Sequence, residues 1–142
     1  MDFELSEDQR ALQEAARDVL TDLARPRDGF GTQLWKAMVE QGWLGVEVPE
    51  AAGGLGLGTV ETAVVLEELG RHVAPVPYLE AVLALGALTA AGGQDALVER
   101  VLGGDAIACI AWREDQPVPF APLAQVDRLF RRMCTRTRAS GT

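Results

Sequence analysis

The chain has 142 residues, 48 % of them hydrophobic, and a formal net charge of −8. That length suits one domain with a hydrophobic core, and the acidic balance argues against nucleic acid or an anionic membrane surface as partner. One histidine and two cysteines, Cys109 and Cys134, which form no Cys-x-x-Cys pair, cannot assemble the usual His/Cys metal sets.

The opening MDFELSEDQR is acidic and has no apolar stretch of the secretory kind. The thiols read as reduced and inert, so the expected compartment is the cytoplasm. No apolar run reaches the roughly 18 residues of a membrane span. The most apolar window, Val73 to Gly93, is interrupted by two prolines, Glu80 and three glycines.

In chain order, Ser6 and Gln9 have the spacing of a capping box. Leu12, Ala16, Val19, Leu20 and Leu23 then recur at helical period, ending before Pro26. Thr32 is expected to cap a second helix carrying Leu34, Trp35, Met38 and Val39, with Gly42 as its stop. Trp43, Leu44, Val46 and Val48 read as an apolar, extended run closed by Pro49. A glycine loop follows, and Thr59 starts a third helix that ends near Gly70. Pro75 and Pro77 precede a fourth helix, Tyr78 to Ala91, stopped by Gly92 and Gly93. That helix is apolar on nearly every side, as buried helices are. A chain this small covers such a helix only in part, so a partner, a further domain or a ligand is expected against it. A short fifth helix spans Gln94 to Leu102, and AIACIAW, residues 106–112, reads as a buried strand.

The charge is uneven. Residues 1–112 hold 7 basic and 18 acidic residues, whereas residues 113–142 hold 6 arginines and 3 acids. The expected architecture is therefore an all-α helical bundle over residues 1–105, a strand-like stub over 106–115 and a disordered, Arg-rich tail over 116–142.

VPEAAGGLGLG, Val48 to Gly58, holds four glycines. It is not a dinucleotide fingerprint, because Thr59 or Glu61 stands where the third glycine belongs, and it has no lysine for a phosphate loop. Glu47, Glu50 and Glu61 would repel phosphate. The better reading is a tight turn using positive φ and close packing.

The same residues carry a resemblance. VPEAAGGLGLGTVETAVVLEELGR, together with Leu34-Trp35, Gly42-Trp43-Leu44-Gly45 and the opening Phe3-Glu4-Leu5-Ser6-Glu7-Asp8-Gln9, resembles the N-terminal helical domain of the acyl-CoA dehydrogenase family. GRHVAPVPYLEAVLAL, Gly70 to Leu85, resembles an actinobacterial branch in which several members work as paired, unlike subunits on bulky acyl thioesters. The resemblance implies FAD-dependent α,β-dehydrogenation of acyl-CoA. It also implies a middle β domain and a C-terminal helical bundle, which hold most of the flavin contacts and the glutamate base. It makes residues 106–115 a remnant of the first strand of that middle domain. The Gly-Ser-Asp flavin-side motif is absent after it, where Trp112-Arg113-Glu114-Asp115 stand.

On this reading the chain is a truncated member that supplies an acyl-pocket wall and a subunit interface. It has no catalytic residue or flavin-binding residue of its own, and FAD is implied by the family without being bound by this chain alone. Its partners are acyl-CoA and an acyl-CoA dehydrogenase subunit, in a homo- or hetero-oligomer. The alternatives are a non-catalytic helical subunit docking on a full-length relative, or a degenerate, inactive fragment. The resemblance places Tyr78, Leu79, Val82 and Leu83 at the deep end of the acyl pocket, as substrate-binding residues. Other candidates have plainer readings. Glu67 and Glu68 are adjacent, not spaced as an acid/base pair, and read as solvated or capping. His72 follows a helix end, Cys109 is a small core residue, Cys134 lies in the Arg-rich tail, and Trp35 and Trp43 pack between helices.

Overall fold

A computed structural model describes residues 4–111 and 117–123. Among the described residues five α-helices are formed: α1 Glu7–Leu23, α2 Thr32–Glu40, α3 Thr59–Arg71, α4 Tyr78–Ala91 and α5 Asp95–Leu102. Short 3-10 turns lie at Trp43–Gly45, Glu50–Ala52 and Ala121–Leu123. Among the described residues no strand is formed. The all-α expectation is met. The tail beyond residue 123, with Cys134, and the Trp112–Asp115 stretch lie outside the described residues.

The helix ends follow local chemistry. The Ser6 side chain accepts from the Gln9 N–H at 3.2 Å, and the Gln9 side-chain oxygen accepts from the Ser6 N–H at 2.9 Å. Two orphan donors of α1 are thus satisfied reciprocally. Gly31, not Thr32, is the cap of α2, because the Gly31 carbonyl accepts the first helical bond from the Trp35 N–H. Gly42 ends this segment at φ +73, in the left-handed region that glycine enters freely.

Helix α1 packs on α2 and α3, α4 packs on α5, and the Trp43–Gly45 turn fills the space between α2, α4 and α5. Ala16 and Leu20 of α1, Leu34, Trp35 and Met38 of α2, Val65 and Leu69 of α3, and Ala81, Leu85 and Leu88 of α4 form one buried cluster. Trp43 lies in the same cluster, so both tryptophans pack between helices.

Two expectations about local structure are corrected. The Trp43–Val48 run is not extended. It turns at once, with the Gly45 N–H bonded to the Gly42 carbonyl and the Val48 N–H to the Gly45 carbonyl. Its side chains Trp43, Leu44, Val46 and Val48 are all buried, without the alternation of a strand. The stretch from Ala106 does show strand-like alternation, since Ala106, Ala108 and Ile110 are buried and the residues between are only partly so. It joins no ladder among the described residues, so it is not a strand there.

Glu68 is the third departure. It reads as solvated in the sequence, yet its side chain has 0 % exposure. The Arg17 guanidinium reaches it from α1, with Nη2 at 2.8 Å from one carboxylate oxygen and Nε at 3.3 Å from the other. Arg71 Nε stands 3.7 Å away as a weaker second cation. This fork ties α1 to α3 at their packed face and holds the Glu68 carboxyl below the ordinary carboxylate range, mainly through the Arg17 hydrogen bond and against the cost of burial. A native pKa below the unfolded one gives stability that is complete above about pH 4.3 and is lost as pH falls through the native value. Glu68→Gln is therefore expected to destabilise the fold by about 1–3 kcal/mol at pH 7. Urea unfolding across pH should show the difference from the parent shrinking in acid.

Candidate functional site

The glycine loop has no free donors. The N–H groups of Gly53 and Gly54 bond to the Glu50 and Pro49 carbonyls. Those of Leu55, Gly56 and Leu57 bond to the carbonyls of Gly45, Val48 and Val46, at 2.8, 2.9 and 2.8 Å. The Gly58 N–H bonds to Glu61 Oε2 at 2.9 Å. A phosphate cradle needs such N–H groups turned outward. Here six in succession are consumed, so the loop does not fit the diphosphate of a flavin dinucleotide. Its job is to sew itself to the Gly45–Val48 segment. Gly54 makes this possible, because a Cβ there would stand 2.1 Å from the Val48 carbonyl oxygen and 2.4 Å from Val48 Cβ.

The four proposed substrate-binding residues divide by face. Tyr78 is buried, and its hydroxyl donates to the Trp43 carbonyl at 3.1 Å. Burial, followed by the charge of Glu47, raises the phenol's pKa, so it stays a neutral donor. Leu79 is 46 % and Leu83 37 % exposed, while Val82 is half-buried. Leu79 and Leu83, one helical turn apart, share the side of α4 away from the core, whereas Val82 lies at its edge and packs against the core cluster. Gly86 and Ala90 continue that side and are also exposed. The core side of the same helix is Tyr78, Ala81, Ala84, Leu85 and Leu88, all buried. Helix α4 thus has two apolar stripes, one packed and one open.

Among the described residues the titratable groups offer no activated nucleophile. Burial, then the charge of Glu80, pushes the half-buried Cys109 thiol up to about 11, so it is protonated near neutrality. His72 caps α3, with Nδ1 2.8 Å from the Glu68 carbonyl and Nε2 3.3 Å from the Thr21 hydroxyl. Glu67 is exposed and pairs with Arg71 one turn on. Among the described residues no group of three or more His, Cys, Asp or Glu is placed to hold a metal ion. No described helix is long and apolar enough to cross a membrane.

One feature escapes a sequence reading that treats the glycine loop as a turn. Leu55, Leu57 and Val60 are exposed, at 44, 49 and 51 %. The available signal was the leucines themselves, since a turn made by glycines has no need of large apolar residues between them.

Residues 6–106 match the family described as "Acyl-CoA dehydrogenase, N-terminal domain". Acyl-CoA dehydrogenase FadE27 of Mycobacterium tuberculosis is 37 % identical over 94 residues, covering 63 % of this chain and 25 % of that protein. Acyl-CoA dehydrogenase FadE28 of the same organism is 35 % identical over 127 residues, covering 86 % of this chain and 34 % of that protein. Among solved structures, the Tcur3481–Tcur3483 steroid ACAD G363A variant aligns with TM-score 0.69 at 34 % identity, covering 79 % of this chain and 34 % of that one. The ChsE4–ChsE5 complex from Mycobacterium tuberculosis aligns with TM-score 0.72 at 27 % identity, covering 87 % of this chain and 43 % of that one. The chain thus spans between a quarter and about a third of the length of these two curated relatives.

Gly54→Ala should destabilise the chain by about 3 kcal/mol, the upper end of overpacking costs, because the clash is with backbone that cannot move aside. Gly70→Ala, where a Cβ meets nothing within 4 Å, is the control and should be tolerated. Thermal melts of the two variants check this.

Proposed function

Since the chain belongs to the acyl-CoA dehydrogenase family, through the N-terminal domain that residues 6–106 match, we propose that it serves FAD-dependent α,β-dehydrogenation of an acyl-CoA thioester as one wall of the acyl pocket and as part of a subunit interface. The observation that carries this reading is the open apolar stripe of α4, with Leu79 and Leu83 on it and the half-buried Val82 at its edge. Tyr78 stands behind them and fixes the helix from the core side. Leucine and valine neither take nor give protons. Their contribution is burial, about 0.8 kcal/mol for each methylene of an acyl group removed from water, together with exclusion of water and positioning of the thioester. When bound, the flavin supplies the hydride acceptor. The glycine loop does not fit its diphosphate, and this reading assigns the flavin contacts and the proton acceptor to parts of the enzyme outside the described residues. The alternate burial of Ala106, Ala108 and Ile110 supports the reading of this stretch as the first strand of a middle β domain.

The partner in this reading is an unlike acyl-CoA dehydrogenase subunit. Support comes from the similarity to structures named as the ChsE4–ChsE5 complex and the Tcur3481–Tcur3483 steroid ACAD. By the same analogy the acyl group is bulky. The alternative, a non-catalytic helical subunit docked on a full-length relative, uses the same stripe as interface without lining a pocket.

Affinity purification of the tagged chain from its own organism distinguishes these. The proposal expects an acyl-CoA dehydrogenase subunit and a flavin absorbance spectrum in the eluate, with the flavin bleaching on addition of acyl-CoA. A photoreactive acyl-CoA should label α4. An eluate with the subunit and bleaching flavin but no label on α4 favours the docked-subunit alternative. A colourless chain that elutes alone and aggregates contradicts both.

A further inference from the structure

From Ile107 to Ala111 the backbone forms neither helix, turn nor ladder. Among the described residues none of its N–H groups donates a hydrogen bond and none of its carbonyls accepts one. The side chains alternate. Ala106, Ala108 and Ile110 lie in the buried cluster, and Ile107, Cys109 and Ala111 are partly exposed. This is the outline of an edge strand whose inner face is already packed. Proteins that leave such an edge bare blunt it with lysine, proline or a bulge, because it is a template for another strand. AIACIAW, residues 106–112, has no charge and no proline. The sequence after it holds no second segment of that kind. Pro117, Pro119 and Pro122 cannot donate to a ladder. From Ala124 to Thr142 no more than four residues follow one another without a charge.

We infer that Ile107–Ala111 is a docking edge for a β-strand of another polypeptide, paired backbone to backbone. The inference rests on the reading of this stretch as a first strand, and adds that the strand beside it comes from a different chain. The backbone decides the occupant. A helix spends its own N–H and C=O groups internally and cannot meet these, whereas a strand added to an edge meets them in register. Alternate residues of a strand turn their polar groups to the same edge, and in an antiparallel pair each exchanges both bonds with the residue opposite. The partly exposed set, Ile107, Cys109 and Ala111, is the accessible one. Ala108 and Ile110, 2 and 8 % exposed, are closed off. A partner strand rich in β-branched residues also covers the Ile107 side chain.

The test uses the full chain, labelled with nitrogen-15, and a synthetic peptide of alternating valine and threonine with a lysine at each end. The expected result is amide shifts within Ile107–Ala111 and slowed hydrogen exchange at Ile107, Cys109 and Ala111. A twin peptide with the same side chains, N-methylated throughout, should produce neither, because it has no N–H to give. Cys109→Pro removes a donor from the edge and should weaken binding about tenfold. Urea unfolding of that variant reads whether the helices persist, and the N-methylated twin decides the matter where they do not. The inference is overturned if the first peptide does not bind, if the twin binds equally, or if protection falls outside Ile107–Ala111. It is also overturned if folded Cys109→Pro binds as the parent does. Slow exchange at the same amides before peptide is added would make the chain's own residues the occupant and would overturn it too. None of these readings involves acyl-CoA or α4, so failure here is distinct from failure of the acyl-pocket reading.

Discussion

The hydrogen bond from the Tyr78 hydroxyl to the Trp43 carbonyl fixes the structure's central choice. Helix α4 is apolar around its circumference, so its sequence does not say which side belongs in the core. Tyr78 resolves this. Its ring is large enough to anchor the start of the helix in the buried cluster beside the Trp43–Gly45 turn, and its hydroxyl must find a partner once buried. The Trp43 carbonyl is that partner. With Tyr78 turned inward, Ala81, Leu85 and Leu88 follow at helical spacing and are buried. Leu79, Leu83 and Gly86 are turned away from the core by the same rotation, with Val82 at the edge between the two sides. The open stripe follows from where the helix is pinned.

The Trp43 turn is itself held by the glycine loop. The carbonyls of Gly45, Val46 and Val48 accept from Leu55, Leu57 and Gly56. The loop that looks like a nucleotide cradle is thereby spent on structure, and it positions the turn that positions α4. On the other side of the bundle the Arg17–Glu68 fork locks α1 to α3. A charged group with its side chain wholly out of water is tolerated there because the guanidinium meets both carboxylate oxygens and the arginine keeps half its surface in solvent.

Much of this is legible in the sequence, and the failures have physical causes. The apolar period of α1, the capping box at Ser6 and the bounds of α4 are local signals, and the structure has them. The extended reading of Trp43–Val48 fails because composition reports burial but not the carbonyl partners that bend the segment. Glu68 is invisible because its burial depends on Arg17, 51 residues earlier in the chain. The resemblance singles out the four residues of α4, and only coordinates show that Tyr78 faces the core while Leu79 and Leu83 do not. The leucines of the glycine loop go unremarked because the glycines around them supply a sufficient reason for the turn.

In the function proposed above, the outer stripe of α4 serves what it contacts and not the fold. The most direct measurement compares Leu79→Ser with Leu83→Ser in the same chain, reading urea stability and recovery of the proposed partner subunit together. Stability is expected to stay within about 0.5 kcal/mol of the parent, the range of ordinary surface substitutions, with recovery of the partner lost. Undiminished recovery of the partner by the folded variants, or loss of the fold on either substitution, would overturn this.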